Sequence, residues 1–276
     1  MRAAVIQMVS TADLNRNLEQ AERLLADAAA AGAELVLLPE NFALFDSGAV
    51  AALAQDDADH GVLQRWLGDC ARRLNLWVLA GSLPAVTRPD GSRISDGRVR
   101  SRLVVFDNRG RWVHSYDKRH LFDVDVGDAQ SRYRESERFE PGDDVATVDT
   151  PWGKVGLSIC YDLRFAGHYQ RLRALGAEIL VVPSAFTRVT GEAHWEVLLR
   201  ARAIETQSYV LGANQGGRHG PTRETWGHSM IVDPWGEVLA CVEESGPGIA
   251  VTQLDLAALQ RCRREMPVWA HTRDHC

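Results

Sequence analysis

Two apolar runs with a helical pattern between them open the chain, and this opening limits the fold more than any other feature. Ala3 to Val9 is apolar and has the length of a strand. From Leu14 to Ala31, the residues Leu18, Ala21, Leu24, Leu25 and Ala28 recur at helical spacing, and Gly32 stops the run. Glu34 to Glu40 is a second buried strand that ends in Pro39 and a carboxylate. A β-α-β start of this kind is the mark of helices packed on a sheet.

The same grammar continues along the chain. A helix is predicted over His60 to Leu74 and a strand over Leu76 to Leu83. Pro84 to Arg98 reads as a surface loop. Arg102 to Asp107 and Trp112 to Tyr116 form a hairpin turned by Asp107-Asn108-Arg109-Gly110. Gly127 to Gly142 is polar, lacks periodicity and is long for a loop; the mixture Arg132-Tyr133-Arg134-Glu135-Ser136 favours a functional segment. Asp144 to Thr150 and Lys154 to Ile159 form a second hairpin, around Pro151-Trp152-Gly153. A helix from His168 to Ala177, a strand from Ala177 to Pro183 and a helix from Ala193 to Gln207 follow. Strands over Tyr209 to Ala213, Ser229 to Val232, Val238 to Val242 and Gly248 to Leu254 precede a last helix, Leu256 to Arg264. The tail from Pro267 is expected to pack on another surface. With no linker, composition shift or fixed repeat, residues 1–276 read as one domain with a short C-terminal tail. Hairpins inserted among β-α-β units predict a mixed sheet or two sheets with helices outside.

Composition serves mainly to exclude. A formal net charge of −6 with scattered basic residues offers nothing to nucleic acid or an anionic membrane surface. No apolar run approaches a membrane span, and the N-terminal residues lack the layout of a signal peptide, so a cytoplasmic setting is expected. The cysteines Cys70, Cys160, Cys241, Cys262 and Cys276 are widely spaced, with no Cys-x-x-Cys pair to suggest a zinc or redox motif. Cys276 is read as a solvated tail thiol.

Three polar residues stand where predicted strands end: Glu40, Lys118 and Cys160. Each has an ordinary explanation, two as solvated strand ends and one as a core thiol. Convergence of the three tips would instead make a complete set for acyl transfer, with Cys160 as nucleophile, Glu40 as base and Lys118 as the cation for an oxyanion. Cys160 also precedes a predicted helix N-terminus, where the helix dipole would favour a thiolate. His219 and His228 lack zinc-ligand spacing. A dyad of Cys160 with one of these histidines is the rival mechanism, while His194 and Trp195 are read as packing residues.

The three tips also lie in recognisable blocks. Leu38-Pro39-Glu40-Asn41-Phe42, Tyr116-Asp117-Lys118-Arg119-His120-Leu121-Phe122-Asp123 and Ser158-Ile159-Cys160-Tyr161-Asp162-Leu163-Arg164-Phe165 resemble the catalytic blocks of the nitrilase (carbon–nitrogen hydrolase) superfamily. The likeness runs on through Pro183-Ser184-Ala185-Phe186-Thr187 and Gly227-His228-Ser229-Met230-Ile231-Val232-Asp233-Pro234-Trp235-Gly236, and so covers nearly the whole chain. It implies an α/β fold, a four-layer α-β-β-α sandwich, and a Glu40-Lys118-Cys160 triad. It also implies a second glutamate, placed at Glu135 rather than Glu137, and an oxyanion contact from the backbone N–H of Tyr161. Arg164, Phe186 and Thr187 are expected to bind substrate, with Arg188 and Arg218 as further candidates to meet carboxylates. No metal or organic cofactor is implied, and the expected partners are a small amide and a second copy of the chain in a homodimer.

Within the superfamily the chain looks like the Nit branch, which acts on ω-amides of 2-oxo acids. Asn214-Gln215-Gly216-Gly217-Arg218-His219 and Met266-Pro267-Val268-Trp269-Ala270-His271 look most like amidases of deaminated glutathione. The alternatives are an ω-amidase for 2-oxoglutaramate, which His120-Leu121-Phe122-Asp123-Val124-Asp125 resembles at least as well, an N-carbamoyl amide hydrolase, or a silent binding subunit. One departure stands out: Ala166-Gly167 occupies positions where relatives carry Pro-Glu, which is expected to loosen the helix start behind Cys160.

Overall fold

The computed structural model describes residues 1–46 and 48–273, so Cys276 lies outside the described residues. Two six-stranded sheets form its centre. In the first, the spatial order is β16 (Gly248–Gln253), β1 (Arg2–Gln7), β2 (Leu35–Leu37), β3 (Trp77–Ala85), β4 (Arg100–Phe106) and β5 (Trp112–Asp117). In the second it is β8 (Ala146–Thr150), β9 (Gly153–Leu157), β10 (Ile179–Ser184), β11 (Tyr209–Asn214), β14 (Met230–Val232) and β15 (Val238–Cys241). Read in these orders, both sheets pair antiparallel, parallel, parallel, antiparallel, antiparallel. No sequence period announces this internal likeness, because it lies in topology alone.

The strand alternation sets the layers. On β1, Ala3 and Val5 face the second sheet, in one core with Leu157, Val181 and Leu211. Ala4, Ile6 and Met8 point the other way, against α1 (Leu14–Ala30) and α3 (Val62–Leu74). The period of two therefore gives each sheet two apolar faces, and both must be covered. The outer face of the second sheet is covered by α4 (Ala166–Ala174) and α5 (Arg188–Thr206), through Tyr169, Leu172, Trp195 and Leu199. The result is the four-layer α-β-β-α sandwich. Helix α2 (Val50–His60) lies beside β3, and α6 (Leu256–Glu265) follows β16. Among the described residues no helix is long and apolar enough to cross a membrane.

Several boundaries differ from the sequence reading. The sequence pattern does not predict helix α2, whose buried positions are only Val50, Leu53, Ala54 and Asp57. The loop from Gly127 to Gly142 contains structure: β6 (Asp123–Asp125) pairs with β7 (Arg132–Arg134), and a 3₁₀ turn spans Glu135–Glu137. A second small hairpin, β12 (Gly216–Arg218) with β13 (Glu224–Trp226), was likewise unread. Helix α5 begins at Arg188, five residues before the predicted start, with Thr187 as its N-cap. The helix behind Cys160 begins at Ala166 itself, on an extended Phe165, so Ala166-Gly167 does not fray the start. The tail does pack back, with Arg173 lying 5.3 Å from the Trp269 ring.

Candidate active site

The ends of β2, β5 and β9 converge on one pocket, which brings Glu40, Lys118 and Cys160 together with Glu135. Each side chain is fixed by its backbone. Glu40 follows β2, where Gly81 lets the chains close: a Cβ on Gly81 would lie 1.8 Å from the Pro39 carbonyl oxygen. Asn41 N–H donates to Ser82 Oγ at 3.0 Å, and Gln215 Nε2 donates to the Glu40 carbonyl at 2.9 Å. Lys118 continues β5, its N–H donating to Ser101 O and its carbonyl accepting from Gly142 N–H. Neither group can swing out without breaking the surrounding ladder.

The ammonium of Lys118 is enclosed by carboxylates. Its Nζ donates to Glu40 Oε1 at 2.8 Å and to the two Glu135 oxygens at 2.8 and 2.9 Å. Phe122 N–H donates to Glu135 Oε2 at 2.6 Å, which holds that carboxylate in place. Lys118 is 2% exposed and Glu40 4%. Burial alone would strip Lys118 of its proton, but the charges of Glu135 and Glu40 outweigh it and hold the pKa well above the usual lysine value. Glu135 is pushed up, first by burial and then by the Glu40 charge, against the pull of Lys118. Glu137, the less favoured reading, is exposed and faces Arg132 at 3.8 Å.

Cys160 occupies a sharp turn after β9. Its φ is 47°, in the left-handed region, and a 3₁₀ turn follows over Cys160–Arg164. A non-glycine residue held there costs about 1 kcal/mol or more and persists only where its surroundings determine it. The buried Asp162 supplies that constraint. It accepts from Ile159 N–H at 2.9 Å, Tyr116 OH at 2.7 Å, and His120 through N–H at 3.0 Å and Nδ1 at 2.7 Å. Burial pushes Asp162 up, but these donors, His120 foremost, hold it below the ordinary aspartate value. The anchor therefore ties the cysteine turn of one sheet to the lysine strand of the other.

The expected thiolate is not what this environment supports. Burial and the Glu40 charge push the Cys160 thiol far up, and Lys118 and a hydrogen bond from Ala185 N–H only partly offset them. The helix-end argument fails because one weak dipole is set against full burial beside a carboxylate. The resting group is a thiol beside the Glu40 carboxylate, whose charge helps to hold its proton. A proton acceptor therefore stands next to the sulfur.

The sequence profile described as carbon–nitrogen hydrolase matches residues 2–264, nearly the whole chain. The chain belongs to the carbon–nitrogen hydrolase family. It is 43% identical over 270 residues to a deaminated glutathione amidase from Yersinia enterocolitica, covering 98% of this chain and 92% of that one. The C. elegans NitFhit protein superposes with a TM-score of 0.88 at 38% identity; the match covers 99% of this chain and 65% of that longer one. An amidase variant from Nesterenkonia sp. AN1, carrying an acrylamide adduct on its active-site cysteine, superposes at 0.78 with 25% identity, covering 97% of this chain and 98% of that one. Family membership accounts for the α-β-β-α layering.

The remaining residues sort clearly in this hydrolase. Tyr161, Arg164, Phe186 and Thr187 all line the pocket. Arg164 lies over the Phe186 ring at 5.1 Å and the Tyr161 ring at 5.8 Å, and its Nη1 is 3.2 Å from His194 Nδ1. His194 is thus exposed beside a pocket arginine and is not a packing residue, whereas Trp195 is buried. Arg188 and Arg218 do not line the pocket, and Arg188 pairs with Glu224 at 3.2 Å. Of the two histidines weighed for a dyad, only His219 lines the pocket. Both its ring nitrogens are engaged elsewhere, by Ser10 O at 2.7 Å and Thr225 Oγ1 at 2.6 Å, so it has no free nitrogen for the thiol. Sequence reasoning missed Asp162 as the anchor of the turn and Ala185 as the donor to sulfur. Asp162 had a signal, being an acidic residue directly after an apolar strand; Ala185 N–H had none.

Proposed function

We propose that this chain is a thiol amidase that hydrolyses deaminated glutathione to 2-oxoglutarate and cysteinylglycine. The observation that carries the reading is the contact set itself. A buried thiol shares one pocket with a carboxylate, and that carboxylate touches a lysine ammonium, in a relative of amidases across 98% of its length.

The chemistry follows from these contacts. The Cys160 sulfur attacks the amide carbonyl carbon as Glu40 takes the thiol proton, and the carbonyl π pair moves onto oxygen. Lys118 and the backbone N–H of Tyr161 meet that oxyanion in a site from which water is largely excluded. The C–N bond then breaks, and the amine of cysteinylglycine leaves with the proton held by Glu40. Water adds to the thioester and gives a proton to Glu40; the C–S bond breaks, and 2-oxoglutarate and the thiol are released. Glu135 keeps Lys118 charged and aimed. Arg164, with Phe186 and Thr187 beside it, receives the carboxylate of the 2-oxo acid. The chain acts as a single domain, as a homodimer, in the cytoplasm.

The test is release of 2-oxoglutarate from deaminated glutathione and from 2-oxoglutaramate side by side, with Cys160→Ala as control. A preference for the first substrate, lost in the variant, is expected. A preference for the second makes the protein an ω-amidase. No turnover of either, with no mass gain on Cys160, makes it a silent subunit.

A further inference from the structure

The pocket holds a cation that the reaction centre does not use. Arg223 enters from the turn between β12 and β13, and its guanidinium lies 4.6 Å from the Tyr133 ring and 5.6 Å from the Phe45 ring. Nη2 donates to the Ala185 carbonyl at 3.1 Å. Its Nε is buried without a hydrogen-bond partner, and among the described residues no carboxylate pairs with it. The other arginines near it differ: Arg132 faces Glu137 at 3.8 Å, Arg134 faces Asp125 at 3.0 Å, and Arg138 is exposed. A guanidinium carries five N–H donors, and a buried one left unmet, as Nε is here, is costly.

The frame around Arg223 is built rather than incidental. Phe45 stacks on His219 at 3.9 Å. The His219 Nδ1–H donates to Ser10 O at 2.7 Å, so Nε2 accepts from the Thr225 hydroxyl at 2.6 Å. Burial, then the neighbouring Arg223 charge, brings His219 down to about 4, so the ring is neutral and does not compete for an anion. Tyr133 is buried and held by Asp128 at 2.7 Å. Arg223 is thus the charged group of a fixed aromatic slot.

We propose that Arg223, set between Tyr133 and Phe45, binds the terminal carboxylate of the leaving dipeptide and so selects an ω-amide of a dipeptide over an ω-amide of ammonia. This rests on the amidase reading above. Two features agree with it. Arg164 and Arg223 bracket the same wall, one over Phe186 and the other on the carbonyl of Ala185, so a substrate with two carboxylates can meet a guanidinium at each end. The cavity, about 520 Å³, lies in the range that encloses drug-sized ligands, and an acyl chain ending in an unsubstituted amide would leave much of it to water.

The experiment compares wild type, Arg223→Gln and Arg223→Lys on three substrates: deaminated glutathione, its analogue with a C-terminal glycinamide, and 2-oxoglutaramate. For Arg223→Gln, kcat/KM on deaminated glutathione is expected to fall by about 10- to 100-fold, mostly through KM, the scale of one lost charge-assisted contact. Turnover of 2-oxoglutaramate is expected to stay within about twofold, which also reports that the variant is folded. Wild type should lose a similar factor on the glycinamide, Arg223→Gln should no longer discriminate, and Arg223→Lys should recover part of the loss. Equal losses on all three substrates, or no change on deaminated glutathione, overturn the proposal. If wild type hydrolyses no deaminated glutathione, the amidase reading fails at the wild-type arm and takes this proposal with it.

Discussion

Asp117 and Lys118 are consecutive residues at the end of β5, and their side chains enter two different buried ion clusters. Asp117 accepts from Arg102 at 2.6 and 2.9 Å and from Arg100 at 3.2 Å. Arg100 and Arg88 both reach Glu140. In that cluster three guanidiniums serve the largely buried carboxylates of Asp117 and Glu140, with the exposed Asp143 at its edge, 3.6 Å from Arg100. The Arg88 and Arg100 contacts hold Glu140 down to about 2. Around Lys118 one ammonium serves two carboxylates and a thiol, and burial, with the Glu40 charge added to it, pushes Glu135 and Cys160 up. Neighbouring residues on one strand thus build a lock and a proton store. Guanidinium contacts thus favour loss of the Glu140 proton, whereas burial beside Glu40 favours retention of a proton around Lys118.

The largest expected effect comes from Lys118→Met. Turnover should fall on the order of 10³-fold, and stability by about 3–5 kcal/mol because two buried carboxylates lose their cation. The sign with pH is distinctive. Glu135, already raised by burial, then loses the pull of its cation, so the variant should regain stability as pH falls from 8 to 5. Urea unfolding at both values checks this, and a pH-independent deficit would break the contrast between the clusters.

Arg102→Met probes the other side. It should cost about 3 kcal/mol, since Asp117 is left under-paired, while kcat of the folded enzyme stays within about threefold. Thermal melts with active-site titration would separate the two quantities, and a large fall in kcat would show that the lock also tunes the site.

A smaller effect is expected in acid. Glu140 is lowered from the ordinary 4.5 to about 2, so its contribution is complete above pH 4.5 and is lost as pH falls toward 2. Glu140→Gln should flatten that limb by about 1 kcal/mol after allowance for solvent screening. Glu135, raised in the fold, has the opposite slope, its contribution declining as pH rises.

Ala166→Pro should have the smallest effect, a gain of about 0.4–1 kcal/mol. Ala166 is the first residue of α4 and follows an extended Phe165, the setting that proline prefers. Touching neither cluster, it gives the baseline against which the other variants are read in the same melts.

Much of the centre was legible because each group ends an apolar run. Strand tips mark Glu40, Lys118 and Cys160 as candidates, but their convergence, and the place of Glu135, were legible only through the resemblance of their blocks to the carbon–nitrogen hydrolases. The state of Cys160 was not legible, since it depends on how deeply the sulfur lies and on Glu40 from the other sheet. Tyr133 and Arg223 escaped for a different reason. They sit on or beside three-residue strands, β7 and β13, too short for periodicity and stabilised by tertiary contacts alone. The catalytic centre is written in local pattern, whereas the pocket wall is written in packing.

The sheet order also bears on how the molecule is made. Strand β1 pairs residue for residue with β16, Arg2 opposite Gln253 and Gln7 opposite Gly248. During synthesis β1 must therefore wait, with one edge open, until β16 has left the ribosome. Contacts so far apart in sequence close slowly. Glu40 and Lys118 belong to the sheet that closes last, and Cys160 to the sheet whose strands all lie between residues 146 and 241. Return of activity after dilution from denaturant is thus expected to lag behind formation of secondary structure, and catalysis becomes a clock for the docking of the two sheets.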